Sequence, residues 1–372
     1  MKLAFTAPMK PLDDPTPSGD RTLARLIVRA LEQGGHEVEV PTRFRSWRKN
    51  GGVAMQQALK DEALCEAEAI AARWRSTGYK PDAFLTYHLY HKAPDWIGPA
   101  LSEEFGCPYL VIEASRAPKQ ATGEWSFGFA EADKALSAAD QVVALHRADA
   151  QCLRDVVCDK LTIIPPFIDA DPFLGAPPVA LRENGKLKLL AVGMMRPGAK
   201  VQSYAVLAQA LRLLRAENWS LTIVGDGPEF HEVREMFSGL PVTFLGPKVG
   251  DDIPQVYADH DVLVWPAIRE AFGFVFLEAQ ASGRPVIGGD TFGVPDIVED
   301  GKTGFLSPEG DVSAMAANIE RILERPELAP QMGSAARAHI LNRHSLAAGT
   351  QNLNMLLARA REIFKEKNTR KT

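Results

Sequence analysis

Short apolar runs alternate with amphipathic stretches along nearly the whole chain. Residues 2–6 form an apolar run fit for a buried strand, and a loop rich in Pro, Asp, Ser and Gly follows it. From 21 to 33, Leu23, Leu26, Ile27, Ala30 and Leu31 recur at helical spacing, which predicts an amphipathic helix. Ser18 or Asp20 can cap its start, Gly34 and Gly35 stop it, and HEVEV at 36–40 opens a second strand. The alternation then repeats. Helices are predicted over 63–75, 97–105 and 131–139, and strands over 83–87, 109–112, 141–145 and 161–164. Strands alternating with helices imply parallel sheets covered on both faces, an α/β architecture.

Residues 168–185 interrupt this pattern with a stretch rich in Pro, Asp and Gly, the best linker candidate. A second series follows, with strands over 187–193, 221–225, 242–246, 261–266 and 285–289 and helices over 204–216, 315–323 and 332–339. A last helical pattern at 346–365 is long enough to pack back on the first domain, and KEKNTRKT reads as a frayed tail. The expected organisation is a first domain over 1–175, a second over 186–348, and a C-terminal helix with its tail over 349–372. Neither domain carries GxGxxG after its first strand. The nearest string, GDGP at 225–228, follows an internal strand, which argues against a dinucleotide-dependent oxidoreductase.

A length of 372 residues and a hydrophobic content of 46% suit two domains with substantial cores. With 42 basic and 47 acidic residues the net charge is -5, which weighs against a general nucleic-acid binder. It leaves room for a local basic patch. The strongest is RFRSWRKNGG at 43–52, with Arg43, Arg45, Arg48 and Lys49, which reads as a solvated loop or as a contact for an anionic acceptor or lipid headgroup. Cys65, Cys107, Cys152 and Cys158 have no zinc-like spacing, so the simple expectation is a reduced, cytoplasmic protein. The start lacks the apolar length of a signal peptide, and no apolar run suits a membrane span. Peripheral contact at the inner membrane face stays open.

The most informative segment for chemistry is REAFGFVFLEAQASGRPVIGG at 269–289, after the apolar strand DVLVWP. It places Ala271, Phe272 and Gly273 in a strand-to-helix turn whose backbone N–H groups can hold an anion. Glu270 precedes that turn, and Glu278, about two turns into the helix, can accept hydrogen bonds from sugar hydroxyls. On the residues alone, two glutamates this far apart are usually surface residues or caps. In AVGMMRPGAK at 191–200, Arg196 and Lys200 follow a strand and can neutralise a diphosphate leaving group, or stand as solvated cations.

EAFGFVFLEAQASGRPVI, followed by GVPDIVEDGKTGFLSPEGD, resembles the signature of the retaining GT-B glycosyltransferases of family 4, the glycosyl transferases group 1. The resemblance covers nearly the whole chain and is strongest over 190–311. It implies a GT-B fold, with two Rossmann-like domains facing each other across a cleft, the donor mainly on the C-terminal one and the acceptor mainly on the N-terminal one. It implies that Glu270 faces the transferred sugar and the donor phosphates as a catalytic residue, and that Glu278 takes the ribose hydroxyls. Phe272, Gly273 and Phe274 would contact sugar and phosphate through their backbone. Arg196 and Lys200 would serve the leaving group, although Met194 stands where the family has its arginine and the spacing is four rather than five. Gly19, beside Ser18 where the family has a glycine pair, would approach the donor phosphate. Gly225 and Pro247, after two strands of the second domain, are candidates for the nucleobase side.

On the acceptor side, TYHLYHKAPDW at 86–96 offers His88 and His91, with Lys92 and Trp96. Two histidines three apart resemble metal ligands on one helix face, but no third ligand has a useful spacing, so no metal is expected. IEASRAPK at 112–119 lacks the histidine that many related enzymes have after this strand and shows Glu113, Ala114 and Ser115 instead. Glu113, Ser115, His88 or His91 would supply the missing contact. Asp169 in IPPFID matches the family's aspartate.

The expected function is transfer of a sugar from a nucleotide-diphosphate sugar, UDP- or GDP-linked, to an unidentified hydroxyl acceptor that is a saccharide, glycolipid or small molecule. The donor is a substrate, and no cofactor is expected. Retention of anomeric configuration rests on the resemblance alone. The rival readings are a sugar phosphorylase, a nucleotide-sugar epimerase, and a catalytically weak nucleotide-sugar binding protein.

Overall fold

The computed structural model describes residues 1–15, 18–181 and 185–369. Positions 16 and 17 of the first loop, 182–184 of the expected linker and the last three residues of the expected tail lie outside them. The chain divides into two units, one of 1–165 with 349–372 and one of 166–348.

Unit 1 runs β1 (Lys2–Thr6), α1 (Gly19–Gln33), β2 (Glu37–Glu39), α2 (Val53–Thr77), β3 (Ala83–Leu89), α3 (Ile97–Phe105), β4 (Tyr109–Ala114), α4 (Ser126–Ala138), β5 (Gln141–Ala144), α5 (Arg147–Val157) and β6 (Leu161–Ile163). Its sheet has the order β2-β1-β3-β4-β5-β6, and every pairing is parallel. The order reverses between β1 and β3, the place where open α/β sheets receive ligands at their carboxyl ends. Trp74, Phe84, Tyr109, Leu136 and Leu153 belong to its core. In α1 the Ser18 hydroxyl accepts from Arg21 N at 3.2 Å, so Ser18 is the cap and the Asp20 carboxylate is left for another partner. Helix α2 starts at Val53, well before the predicted 63, because its buried stripe of Gln56, Leu59, Ala63, Ala67, Ile70, Ala71 and Trp74 is narrow and mostly small. Helix α5 was not evident from the apolar pattern; it buries only Ala150, Leu153 and Val157.

Unit 2 runs α6 (Asp171–Leu174), β7 (Leu187–Val192), α7 (Ala199–Arg212), β8 (Trp219–Val224), α8 (Phe230–Met236), β9 (Val242–Phe244), α9 (Asp252–Ala258), β10 (Val262–Trp265), α10 (Phe274–Ala281), β11 (Val286–Asp290), β12 (Gly304–Pro308), α11 (Val312–Glu324) and α12 (Leu328–Arg343). The last helix, α13 (Leu346–Thr369), begins here and continues into unit 1. The sheet order is β12-β11-β10-β7-β8-β9, again parallel throughout. At its carboxyl edge the loops touch backbone to backbone. A Cβ on Gly225 would collide with the Gly193 carbonyl, and Gly225 also holds φ 141°.

Segment 166–181 packs with unit 2. Arg284 Nη1 donates to Pro177 O at 2.8 Å, Arg337 Nη2 to Ala176 O at 2.6 Å, and His344 Nδ1 to Pro166 O at 2.7 Å. His344 is fully buried. Burial pushes its imidazole down to about 4, with the Pro166 carbonyl opposing and His339 and Arg343 assisting. The fold therefore holds the neutral ring, and its stabilisation is complete above the ordinary histidine value near 6.5 and lost as pH falls toward 4. The loss amounts to roughly 3 kcal/mol. Urea unfolding between pH 7.5 and 4 should show it, and His344→Gln should flatten that slope. An unchanged slope would remove His344 from the acid response.

Candidate active site

In unit 2 the polar groups gather where β7, β8, β10 and β11 end. After β10 the chain turns through Ala267 (φ 57°) and Arg269 (φ 50°), both in the left-handed region, before Gly273 (φ 74°) caps α10. Two non-glycine residues held in this way cost about 1–2 kcal/mol each, a strain that marks a shaped turn. It is tied down by Ile268 N donating to Ser203 Oγ at 3.0 Å, Arg269 N to Glu309 Oε1 at 2.8 Å, and Gly293 N to Ala271 O at 2.7 Å. The result presents Glu270 toward the start of α7. There the Lys200 ammonium donates to Glu270 Oε2 in a part-buried ion pair. Trp265 Nε1 lies 3.4 Å from the same oxygen, and Lys200 Nζ sits 5.4 Å from the Trp265 ring centroid. A carboxylate, an ammonium and an indole face thus form one cluster. Trp265 was unmarked in the sequence because it reads there as one more apolar strand residue.

Glu278 is the fifth residue of α10, little more than one turn in rather than two. Its Oε2 accepts from the buried Tyr257 hydroxyl at 2.7 Å. Burial raises the Glu278 carboxyl, and the Tyr257 hydrogen bond only partly offsets this. Tyr257 lies on α9, and nothing in the sequence pairs it with Glu278. Phe272 is buried and stacks edge-on with Phe274 at 5.4 Å. Gly225 N donates to Gly246 O at 3.0 Å, which places the loop before Pro247 beside the end of β8. Pro247 and Arg196 are exposed, and Arg196 has no partner among the described residues. The structure therefore brings Lys200, Glu270 and Trp265 together and leaves Arg196 apart.

In unit 1 the acceptor-side candidates divide. Tyr87 pairs with Ile112 and Leu89 with Ala114, so His88 and Glu113 stand opposite each other on β3 and β4. Both are left-handed, at φ 61° and φ 58°. The two adjacent kinks turn both side chains toward Asp20 at the start of α1. His88 Nδ1 lies 3.1 Å from Asp20 Oδ1 and 3.7 Å from Glu113 Oε1. Burial alone would lower the His88 imidazole, but Glu113, Asp20 and Asp149 outweigh it and raise it. Burial raises the Glu113 carboxyl, and His88 only partly compensates. Ser115 Oγ donates to Asp149 Oδ1 at 3.2 Å. His91 is separate, in the turn after β3, against Trp125 at 5.7 Å. His88 and His91 therefore do not share a helix face. Both His91 nitrogens are buried without hydrogen bonds, and burial with Lys92 and Lys119 pushes its imidazole down to about 4. Gly19 is the exposed first residue of α1. In the basic patch, Arg43 pairs with Asp13 at 2.7 Å, and Arg45 lies 4.7 Å over the Trp47 ring. Among the described residues, no helix is long and apolar enough to cross a membrane.

The pattern of the family described as glycosyl transferases group 1 matches residues 186–325. The chain is 30% identical over 324 residues to D-inositol 3-phosphate glycosyltransferase of Actinosynnema mirum, covering 77% of this chain and 75% of that one. It is 39% identical over 120 residues to the sulfoquinovosyl transferase of Arabidopsis thaliana, but this spans 32% of the chain and only 24% of that relative. In fold, Anabaena HepE in complex with UDP-glucose superposes with a TM-score of 0.67 at 19% identity, over 96% of this chain and 99% of that one. With its two parallel α/β sheets, and with the D-inositol 3-phosphate glycosyltransferase matched at 30% identity over most of both lengths, the chain belongs to the GT-B-fold glycosyltransferases, among relatives of the group 1 enzymes.

Proposed function

We propose that the protein is a retaining glycosyltransferase that moves a sugar from a nucleotide-diphosphate sugar, UDP-linked first among the candidates, to an acceptor hydroxyl. The observation that carries this reading is the Lys200–Glu270–Trp265 cluster beside the strained turn that also launches Glu278. The ammonium would receive the charge that develops on the departing diphosphate, and the backbone N–H groups around Gly273 and Phe274 would bind its phosphates. Glu278 would accept from the ribose hydroxyls through the oxygen that Tyr257 leaves available. A protein nucleophile is not required if the leaving phosphate takes the proton of the incoming hydroxyl on the same face. UDP-glucose in the similarly folded HepE supports the choice of donor. The acceptor side would be the carboxyl ends of β3 and β4, where Glu113 meets His88 and Ser115 directly follows β4. The four unbridged cysteines suit a reducing cytoplasm.

Calorimetric titration with UDP, GDP, ADP and TDP in chelator tests the donor side. One diphosphate should bind at micromolar Kd without a divalent ion, and Lys200→Ala should weaken it about tenfold or more, as expected for a charge-assisted contact. No binding by any of the four would bring the reading down. The anomeric proton of the product, followed by NMR, decides retention.

A further inference from the structure

The Asp20, His88 and Glu113 cluster shows a feature that acceptor binding alone does not explain. Their donor atoms, one imidazole nitrogen and two carboxylate oxygens, all lie within 4.8 Å of one another. Yet His88 Nδ1 and Glu113 Oε2 are buried and make no hydrogen bond. The 3.1 Å approach of Asp20 Oδ1 to His88 Nδ1 brings the charges close but lies off the line of an N–H donor. Glu113 as a whole is only 9% exposed. A buried carboxylate oxygen without a donor costs about 1–3 kcal/mol, and two left-handed kinks at one register level add to it. Three side chains from three elements thus bring ligand atoms together, with two of their buried polar atoms left without a hydrogen bond.

We propose that Asp20, His88 and Glu113 bind a divalent transition-metal cation at the carboxyl end of the unit 1 sheet. Atoms about 2.1 Å from a common ion lie roughly 3.0 Å apart when their bonds are at 90° and roughly 3.6 Å apart at 120°. The observed 3.1 Å and 3.7 Å match these values. The third pair, Asp20 with Glu113, lies within 4.8 Å. Binding would displace the His88 ring proton to solvent, and the neutral nitrogen with two carboxylates would then balance a 2+ charge and suit a borderline ion such as Mn²⁺ or Zn²⁺. Three protein ligands leave coordination positions open, as in metal sites that take oxygen ligands from solvent or substrate. Those positions would take hydroxyl oxygens of a polyol acceptor, which rests on the transferase reading; the metal site itself does not. The ion is not assigned to the donor diphosphate, for which Lys200 and the backbone N–H groups around Gly273 and Phe274 in unit 2 are proposed.

The test is direct binding to the chelator-stripped full chain, without any nucleotide sugar. Free Mn²⁺ is followed by electron paramagnetic resonance, and Zn²⁺ is then added as competitor. One Mn²⁺ per chain should bind and be displaced by Zn²⁺. His88→Ala and Glu113→Gln should each weaken binding at least tenfold, and the exposed His231→Ala should leave it unchanged. Circular dichroism melts report whether each variant is folded, and Asp20→Asn replaces any that is not. Absence of stoichiometric binding, or equal affinity in all variants, would overturn the proposal. UDP binding in the same stripped sample keeps the two readings separable. Bound UDP without bound metal removes the ion alone, and bound metal without any diphosphate removes the donor reading alone.

Discussion

Replacing Glu270 by alanine is expected to slow sugar transfer by about 10²–10³-fold, the range seen when one preorganised polar group is taken from a charge-stabilising site. Three contacts make this the most consequential single change. Glu270 anchors the Lys200 ammonium, faces the Trp265 indole, and stands on a turn whose neighbours Ala267 and Arg269 hold left-handed backbone. Without the carboxylate, Lys200 loses the one ionic partner it has among the described residues, so both its orientation and the local charge change. The effect should fall on kcat more than on KM, because the group acts on the reacting centre. Glu270→Gln, which keeps the shape and one acceptor, should recover part of the rate. A Glu270→Ala rate within threefold of the parent would remove this residue from the centre.

Glu278→Ala should raise the Kd of the bound nucleoside diphosphate by about 10–100-fold, since hydrogen bonds to charged groups contribute roughly 1.5–3 kcal/mol. The same change strips the buried Tyr257 hydroxyl of its acceptor and should lower stability as well. Tyr257→Phe separates the two effects. On its own it should leave diphosphate affinity within a few fold, and combined with Glu278→Ala it should restore stability without restoring affinity. Unchanged affinity in Glu278→Ala would reject the ribose role.

The parallel α/β organisation was legible because buried strands read as short apolar runs and the helices between them keep a 3.6-residue period. Legibility failed where burial was slight. The seven-residue α8 and α9 bury only Val233, and Val256 with Tyr257, which leaves no stripe to detect. At the candidate site, Glu270, Glu278 and Lys200 stood out in the sequence; the pairing of Lys200 with Glu270, and Tyr257 as the partner of Glu278, did not, because tertiary packing sets both. The opposition of His88 and Glu113 was hidden for a stricter reason. It depends on strand register and on left-handed backbone at two residues that carry side chains, and neither leaves a mark in residue type. Ser18 and Asp20 were both open as the cap of α1; the Ser18 hydroxyl takes that role and leaves Asp20 free to face His88.

Unit 2 is one continuous stretch, but unit 1 is interrupted and finishes only with α13. That helix buries Leu353, Leu356, Leu357 and Ala360, Asn354 Oδ1 meets His36 Nε2 at 2.7 Å, and Lys367 reaches Asp140 at 3.2 Å. During synthesis all six strands of unit 1 leave the ribosome long before the helix that covers them. Unit 2, made in the interval, has its whole sequence available first. The order of emergence thus reverses the order of completion. A nascent chain halted near Ala348 is expected to carry a finished second unit and a first unit whose apolar flank is bare, the part that a chaperone would have to shield.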